Sequence, residues 1–138
     1  MKNPQETIGN LIDKQSVSYI SSVDENGYPN TKAMLAPVKR VGIKTLYWHT
    51  NSPSVRIRQY RNNPKACVYF CDKRFFRGVM LKGTMEVVDD KEVKAEVWQD
   101  GFSMYYTGGV DGGDFIILKF TAESGRYYAN FRSEDFDI

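Results

Sequence analysis

Apolar and polar positions change period several times along this chain, and each change marks an element. Asn3-Pro4-Gln5-Glu6 has the residues of a helix start, with Asn as cap, Pro at the first helical position and Glu at the third. Ile8, Leu11 and Ile12 follow on one face, and the pattern runs out near Lys14. The period then drops to two. Residues 16–23 predict a β-strand, Asp24-Glu25-Asn26-Gly27 a hairpin turn, and residues 28–38 the returning strand. After a turn at Gly42, residues 45–50 predict a third strand. Residues 52–62 predict a second helix, with Val55, Ile57 and Tyr60 apolar and Asn62-Asn63-Pro64 as its stop.

Residues 66–71 are a continuous apolar run and predict a strand buried on both faces. Residues 75–88 predict a long strand in which Gly78 and Gly83 mark bends or bulges. Asp89-Asp90 caps a third helix that carries Val93 and Val97, with Trp98 beside them. Residues 115–121 and 126–132 predict a last hairpin around Glu123-Ser124-Gly125. About seven strands joined mostly by hairpins do not make a βαβ pattern. The expected fold is mainly β with short helices (α+β), a small antiparallel barrel with helices at its rim. At this size side chains fill the interior, so a large ligand must bind outside, against a second subunit. No repeat, linker or low-complexity tract divides the chain, and 138 residues suit a single domain over 1–138.

Composition changes this picture little. Hydrophobic residues are 41% and charged residues 26%, as in an ordinary soluble core. Nine Tyr and eight Phe favour strands and a flat, ring-lined groove. A net charge of +2 gives no field of one sign, so neither nucleic acid nor membrane is expected as a partner. Charge is locally uneven all the same, with Arg56, Arg58 and Arg61 in one cluster and Lys73, Arg74 and Arg77 in another. The N-terminal stretch has no apolar run of a secretory signal or spanning helix, which with the cysteines predicts a cytoplasmic protein. Cys67 and Cys71 lie four apart on one strand, too far for easy bridging, and are expected as reduced core thiols. With a single His, no metal site is expected.

The candidate chemistry sits where the third strand meets the second helix. Thr50, Asn51, Ser52 and Ser54 are followed at once by Arg56 and Arg58. Ser52-Pro53 reads as an ordinary helix start, with Ser52 capping free backbone N–H groups. The same N–H groups suit a phosphate, with Thr50 and Ser54 as hydroxyl donors and the Arg56 guanidinium as a bidentate fork. Spacing alone leaves both readings open.

The order strand, Thr-Asn-x-x-Ser-x-Arg, helix, Asn-Asn-Pro, strand resembles the pyridoxamine-phosphate-oxidase-like flavoproteins, the FMN-binding split barrels. Upstream, residues 27–34 (GYPNTKAM) resemble the family's second strand. Downstream, residues 83–90 (GTMEVVDD) and the helix to Trp98 continue the match to the family, and residues 98–120 with the ending from Gly125 resemble its general-stress-protein branch. The resemblance implies an antiparallel split β-barrel that forms a homodimer with FMN at the subunit interface. Carried over residue by residue, it sets Lys32, Ala33 and Met34 beside ring and phosphate, and Trp48, His49 and Thr50 along the other side. Asn51 completes the motif, Ser54 and Arg56 hold the phosphate, and Trp98 reaches the flavin bound mainly by the partner subunit. It also implies an FMN-dependent oxidoreductase acting on an unidentified small molecule, with NAD(P)H as donor. Alternatives are a flavin carrier or stress-response protein without turnover, a nitroimidazole-reductase-like enzyme, and a relative that binds haem or a deazaflavin.

The sequence departs from the oxidase at three places. Gly78 stands where Gln is usual, Pro37 stands where Lys is usual, and no Arg-x-His occurs near the C-terminus. Oxidation of pyridoxamine phosphate itself is therefore not expected. His49 is a weak candidate for a proton donor, and a half-buried strand residue with a satisfied ring nitrogen is the favoured reading. Residues 107–113 (TGGVDGG) lack the Gly-Lys-Ser/Thr of a phosphate loop and predict a tight turn or a flap.

Overall fold

The computed structural model describes all residues 1–138. Helix α1 (Pro4–Asp13) starts as its sequence predicts, with the Asn3 carboxamide accepting from the Glu6 N–H at 3.2 Å. Eight antiparallel strands follow: β1 (Val17–Val23), β2 (Pro29–Leu35), β3 (Lys39–Val41), β4 (Thr45–Asn51), β5 (Lys65–Asp72), β6 (Arg77–Val88), β7 (Phe115–Ala129) and β8 (Arg132–Asp137). Helix α2 (Val55–Asn62) joins β4 to β5, and α3 (Lys91–Val97) with a 3-10 turn (Asp100–Met104) joins β6 to β7. The sheet order is β2-β1-β5-β6-β7-β4-β3, with β8 paired to the far half of β7. Strands β2 and β3 are neighbours in sequence and opposite edges of the sheet, so the barrel stays open along a seam between them. This is a split barrel.

Apolar side chains fill the interior. Trp48, Phe70, Phe120, Leu46, Leu81 and Met85 are all at most 2% exposed, and α1 closes one end with Ile8, Leu11 and Ile12. Each such side chain contributes about 1.5–3 kcal/mol by leaving water. A second, smaller cluster lies on the other face of β4 and β7, where Val97, Phe102 and Tyr106 pack on Phe115 and Ile117.

Five expectations need correction. The strand over 66–71 is buried on one face only: β5 alternates, Ala66, Val68 and Phe70 pointing in and Cys67, Tyr69 and Cys71 out. The two cysteines are thus half-buried on the outer face rather than in the core. The strand expected over 28–38 is shorter, Pro29–Leu35, and a separate strand β3 begins only after Ala36-Pro37-Val38, at Lys39. The strand expected from residue 75 begins at Arg77. Finally, Glu123-Ser124-Gly125 is not a turn. Strand β7 runs through it for 15 residues, and Glu123 is the extra residue of a bulge where Lys82 pairs with Ser124 and Gly83 with Ala122. Gly83 is required there, because a Cβ would lie 2.0 Å from the Thr121 carbonyl oxygen. The hairpin turn comes later, at Asn130-Phe131, both with positive φ.

Candidate functional site at the barrel seam

Strand alternation sorts the candidate residues into two groups. Lys32 pairs with Ile20 and Met34 with Ser18, so both lie on the inner face of the edge strand β2. On β4, Trp48 and Thr50 share that face, while His49 and Asn51 turn the other way. The seam is bridged by Trp48. Its indole N–H donates to Ser18 Oγ at 3.0 Å and to the Leu35 carbonyl at 3.3 Å, and Ser18 Oγ donates to the same carbonyl at 2.7 Å. Trp48 is 2% exposed, so its side chain belongs to the core and only its backbone can face a ligand.

Beyond Asn51 the chain leaves β4 and turns into α2. The helix starts at Val55 with Ser54 as its cap, not Ser52. Ser54 Oγ accepts from the Arg56 N–H at 3.3 Å, and its own N–H donates to the Asn51 carbonyl at 3.0 Å. The Ser52 N–H donates to the Asp114 carbonyl at 3.0 Å, and Pro53 has none to give. Most main-chain amides at this corner are therefore engaged, that of Arg56 by the Ser54 hydroxyl, and Val55 keeps the one without a partner. An anion here would be gripped chiefly by side chains.

Those side chains are available. Arg56 is half-buried and forms no ion pair or side-chain hydrogen bond, and α2 has no acidic residue in its first turn. The Ser54 hydroxyl accepts one bond and retains its proton for another. The helix is fixed against β1, where the Tyr60 hydroxyl donates to the Ser21 carbonyl at 2.9 Å and Ser22 bonds Gln59. Burial holds the Tyr60 hydroxyl well above its ordinary pKa, so it stays a donor. Lys32 and Met34 on β2 and Thr50 on β4 thus turn to the barrel side of their strands, and Ser54 and Arg56 stand at the start of α2.

The remaining candidates do not share that inner face. His49 lies in the second cluster, its ring centroid 4.3 Å from that of Phe102, and Nδ1 is 2.7 Å from the Tyr106 hydroxyl. Burial holds the imidazole below its usual pKa, and burial with the Asp114 charge pushes Tyr106 up to about 12. Trp98 meets Phe115 edge-on at 4.9 Å in its own chain, and its N–H caps α3 on the Lys94 carbonyl. Ala33 is on the outer face of β2, opposite Tyr19. Asn51 is exposed. The glycine-rich loop is a pair of tight turns, Gly109 N–H to Tyr106 and Gly112 N–H to Gly109, tied down by buried Lys94 through the Gly112 carbonyl and Asp89.

Two features were not read from the sequence. The Tyr69 hydroxyl lies over Gly78, 2.2 Å from where a Cβ would stand, and fills the space a larger residue would need. A hollow of ≈ 410 Å³ lies between the β1–β2 turn and α2, and one of ≈ 470 Å³ lies over the bulge, lined in part by Ser21, Cys67, Lys82 and Ser124. No local motif signals either, since both depend on pairing between distant strands.

A family model described as pyridoxamine 5'-phosphate oxidase matches residues 4–129. The chain belongs to the pyridoxamine 5'-phosphate oxidase family. It is 33% identical over 89 residues to the pyridoxine/pyridoxamine 5'-phosphate oxidase of Agrobacterium fabrum, a match that covers 64% of this chain and 42% of that protein. The chain thus matches less than half the length of that curated relative. Among solved structures, a protein related to general stress protein 26 from Clostridium acetobutylicum is 36% identical, with a TM-score of 0.88 over 98% of this chain and 94% of the other. A heme binding protein from Mycobacterium smegmatis is 16% identical, with a TM-score of 0.78 over 99% of this chain and 59% of that one, a likeness of fold alone.

Proposed function

We propose that the chain binds FMN at the seam and works as an FMN-dependent oxidoreductase, as a homodimer, on an unidentified small molecule with NAD(P)H as donor. The observation that carries this reading is Arg56, a half-buried guanidinium with no carboxylate to neutralise it, at the start of a helix free of acidic residues in its first turn. A half-buried cation is costly without a counter-charge, and a phosphate dianion supplies one. Lys32 adds a second cation from β2, and Thr50 and Ser54 add hydroxyl donors. Met34 and the backbone of β4 supply an apolar, amide-edged shelf for a flat ring. A bound flavin supplies the electron-transfer chemistry, while the protein binds, orients and shields it.

A second subunit is supported by the outer face of the sheet. Val17, Tyr19, Leu35 and Tyr69 are 39–65% exposed and lie together through the pairs Val17–Leu35 and Tyr19–Tyr69. An exposed apolar face of this kind marks an association surface. The seam reading suits a compact phosphate better than haem, because the one histidine is turned into the second cluster and bonded to Tyr106. No helix of the chain is long and apolar enough to cross a membrane. The test is the absorbance spectrum of the purified protein, followed by FMN titration, a mass measurement in solution and NADPH oxidation with an electron acceptor. Flavin bands, saturable FMN quenching, twice the chain mass and turnover support the proposal. FMN binding without turnover would leave a carrier, and absence of FMN binding would end the reading.

A further inference from the structure

Three non-glycine residues have φ in the left-handed region: Phe76 (51°), Asn130 (52°) and Phe131 (63°). Asn tolerates this conformation, but a bulky aromatic residue does not adopt it readily. The Asn130-Phe131 turn has the geometry for which Asn-Gly is the favoured pair. Phe131 is 95% exposed and Phe76 is 73% exposed, so the strain is not repaid by burial within the chain. Strain kept where the fold gains little from it points to a role outside the fold.

The two residues occupy neighbouring turns. Strand β6 begins beside the end of β7, with Gly78 paired to Tyr128, so the β5–β6 and β7–β8 turns project from one end of the sheet. The Phe76 ring meets Tyr128 edge-on at 6.1 Å. Phe75 is 59% exposed, with the Arg74 and Arg77 guanidinium carbons 4.5 and 5.0 Å from its ring centre. Lys73 and Arg132 flank the same turns. Of the acidic groups nearby, Asp72 is paired to Arg77, Glu134 to the N-terminal ammonium and Asp135 to Arg126. This end therefore presents three phenylalanines inside a collar of cations, although the whole chain has a net charge of only +2.

We propose that this sheet end docks on an anionic lipid surface, with Phe131, Phe76 and the edge of Phe75 at headgroup depth and Lys73, Arg74 and Arg132 on lipid phosphates. Apolar tips with a basic collar are what interfacial binding requires. Single-stranded nucleic acid fits less well, since it needs a basic groove that tracks its backbone, and these turns form a projecting tip with guanidinium groups over the Phe75 face. The docking is independent of the flavin reading.

The test is co-sedimentation of the whole protein with vesicles of phosphatidylglycerol and phosphatidylcholine, against phosphatidylcholine alone, at low and physiological salt. Binding is expected on the anionic vesicles only and should weaken with salt. Phe131→Gly gives the turn its preferred residue, so the melting temperature should hold or rise while vesicle affinity falls at least about tenfold. Lys73→Glu with Arg74→Glu should lower affinity by roughly thirtyfold or more. No binding by the natural chain, full binding by Phe131→Gly, or a change of solution mass in that variant would overturn the proposal. Capture of a single-stranded oligonucleotide in place of vesicles would overturn it as well.

Discussion

Replacing Trp48 with Phe tests how the seam is held. The indole N–H is the one side-chain donor that links β4 to both β1 and β2, through Ser18 Oγ and the Leu35 carbonyl. Ser18 is 0% exposed and would keep its own bond to Leu35 but lose the incoming donor. A lost buried hydrogen bond of this kind costs about 1 kcal/mol. The smaller ring leaves a gap among Leu46, Phe70, Phe120 and their neighbours; if about 40 Å³ stays empty, at about 24 cal/mol per Å³ the cavity adds about 1 kcal/mol. The sum is about 2 kcal/mol, and urea unfolding should show it as a shift in midpoint with an unchanged slope. Because Lys32 and Met34 follow the same edge strand that Trp48 pins, ligand affinity at the seam should fall with it. A loss of stability below about 0.5 kcal/mol would refute the reasoning, for it would mean that the strands hold their places without the indole.

Other outcomes follow from single contacts. Gly83→Ala should cost several kcal/mol or prevent folding, read by thermal melting, because its Cβ would stand 2.0 Å from a backbone oxygen that cannot swing aside. Phe131→Gly should raise stability by about 1 kcal/mol by relieving a left-handed φ, read as a higher urea midpoint. His49 has a folded pKa below its unfolded one, so its contribution is complete above the unfolded value near 6.5 and is lost as pH falls toward the folded value. Melting curves from pH 7.5 to 5 should therefore decline in the natural chain and decline less in His49→Gln.

Much of the architecture was legible in the chain, and the misses have physical causes. Helix α1 was readable because cap, Pro and apolar face agreed. The β1–β2 hairpin was readable because Asp-Glu-Asn-Gly carries its own turn chemistry, with Asp24 accepting from the Asn26 and Tyr28 N–H groups. Strand β5 looked buried on both faces because its outward residues, Cys67, Tyr69 and Cys71, are themselves apolar or aromatic. Two serines flank Pro53, and the rule favouring Pro at the first helical position pointed to Ser52. The structure spends Pro53 in a turn closed by Ser54 N–H to Asn51 and lets Ser54 cap. The last hairpin was misplaced because Glu-Ser-Gly offers a turn glycine, whereas Asn-Phe has a bulky aromatic residue where glycine is expected. The bulge that Glu123 forms with Gly83 needs a partner strand 40 residues away in sequence, which no local pattern displays.

The site was legible as a motif but not as a grip. Thr50, Ser54 and Arg56 were singled out by spacing, and Lys32 by resemblance. That Ser52, Ser54 and Arg56 would direct their backbone N–H groups inward could not be read, since it depends on the Asp114 carbonyl and the exact turn. A phosphate bound at this corner would be held by the Arg56 guanidinium and side-chain donors more than by main-chain amides.

That claim is tested most directly by comparing FMN with riboflavin, which lacks the phosphate, in the natural chain and in Arg56→Ala, by fluorescence titration at fixed salt. The natural chain should prefer FMN, and Arg56→Ala should lose about 1.5–3 kcal/mol of FMN affinity, roughly ten- to 150-fold, while its riboflavin affinity barely moves. Equal loss for both ligands, or FMN affinity unchanged by the substitution, would contradict the account.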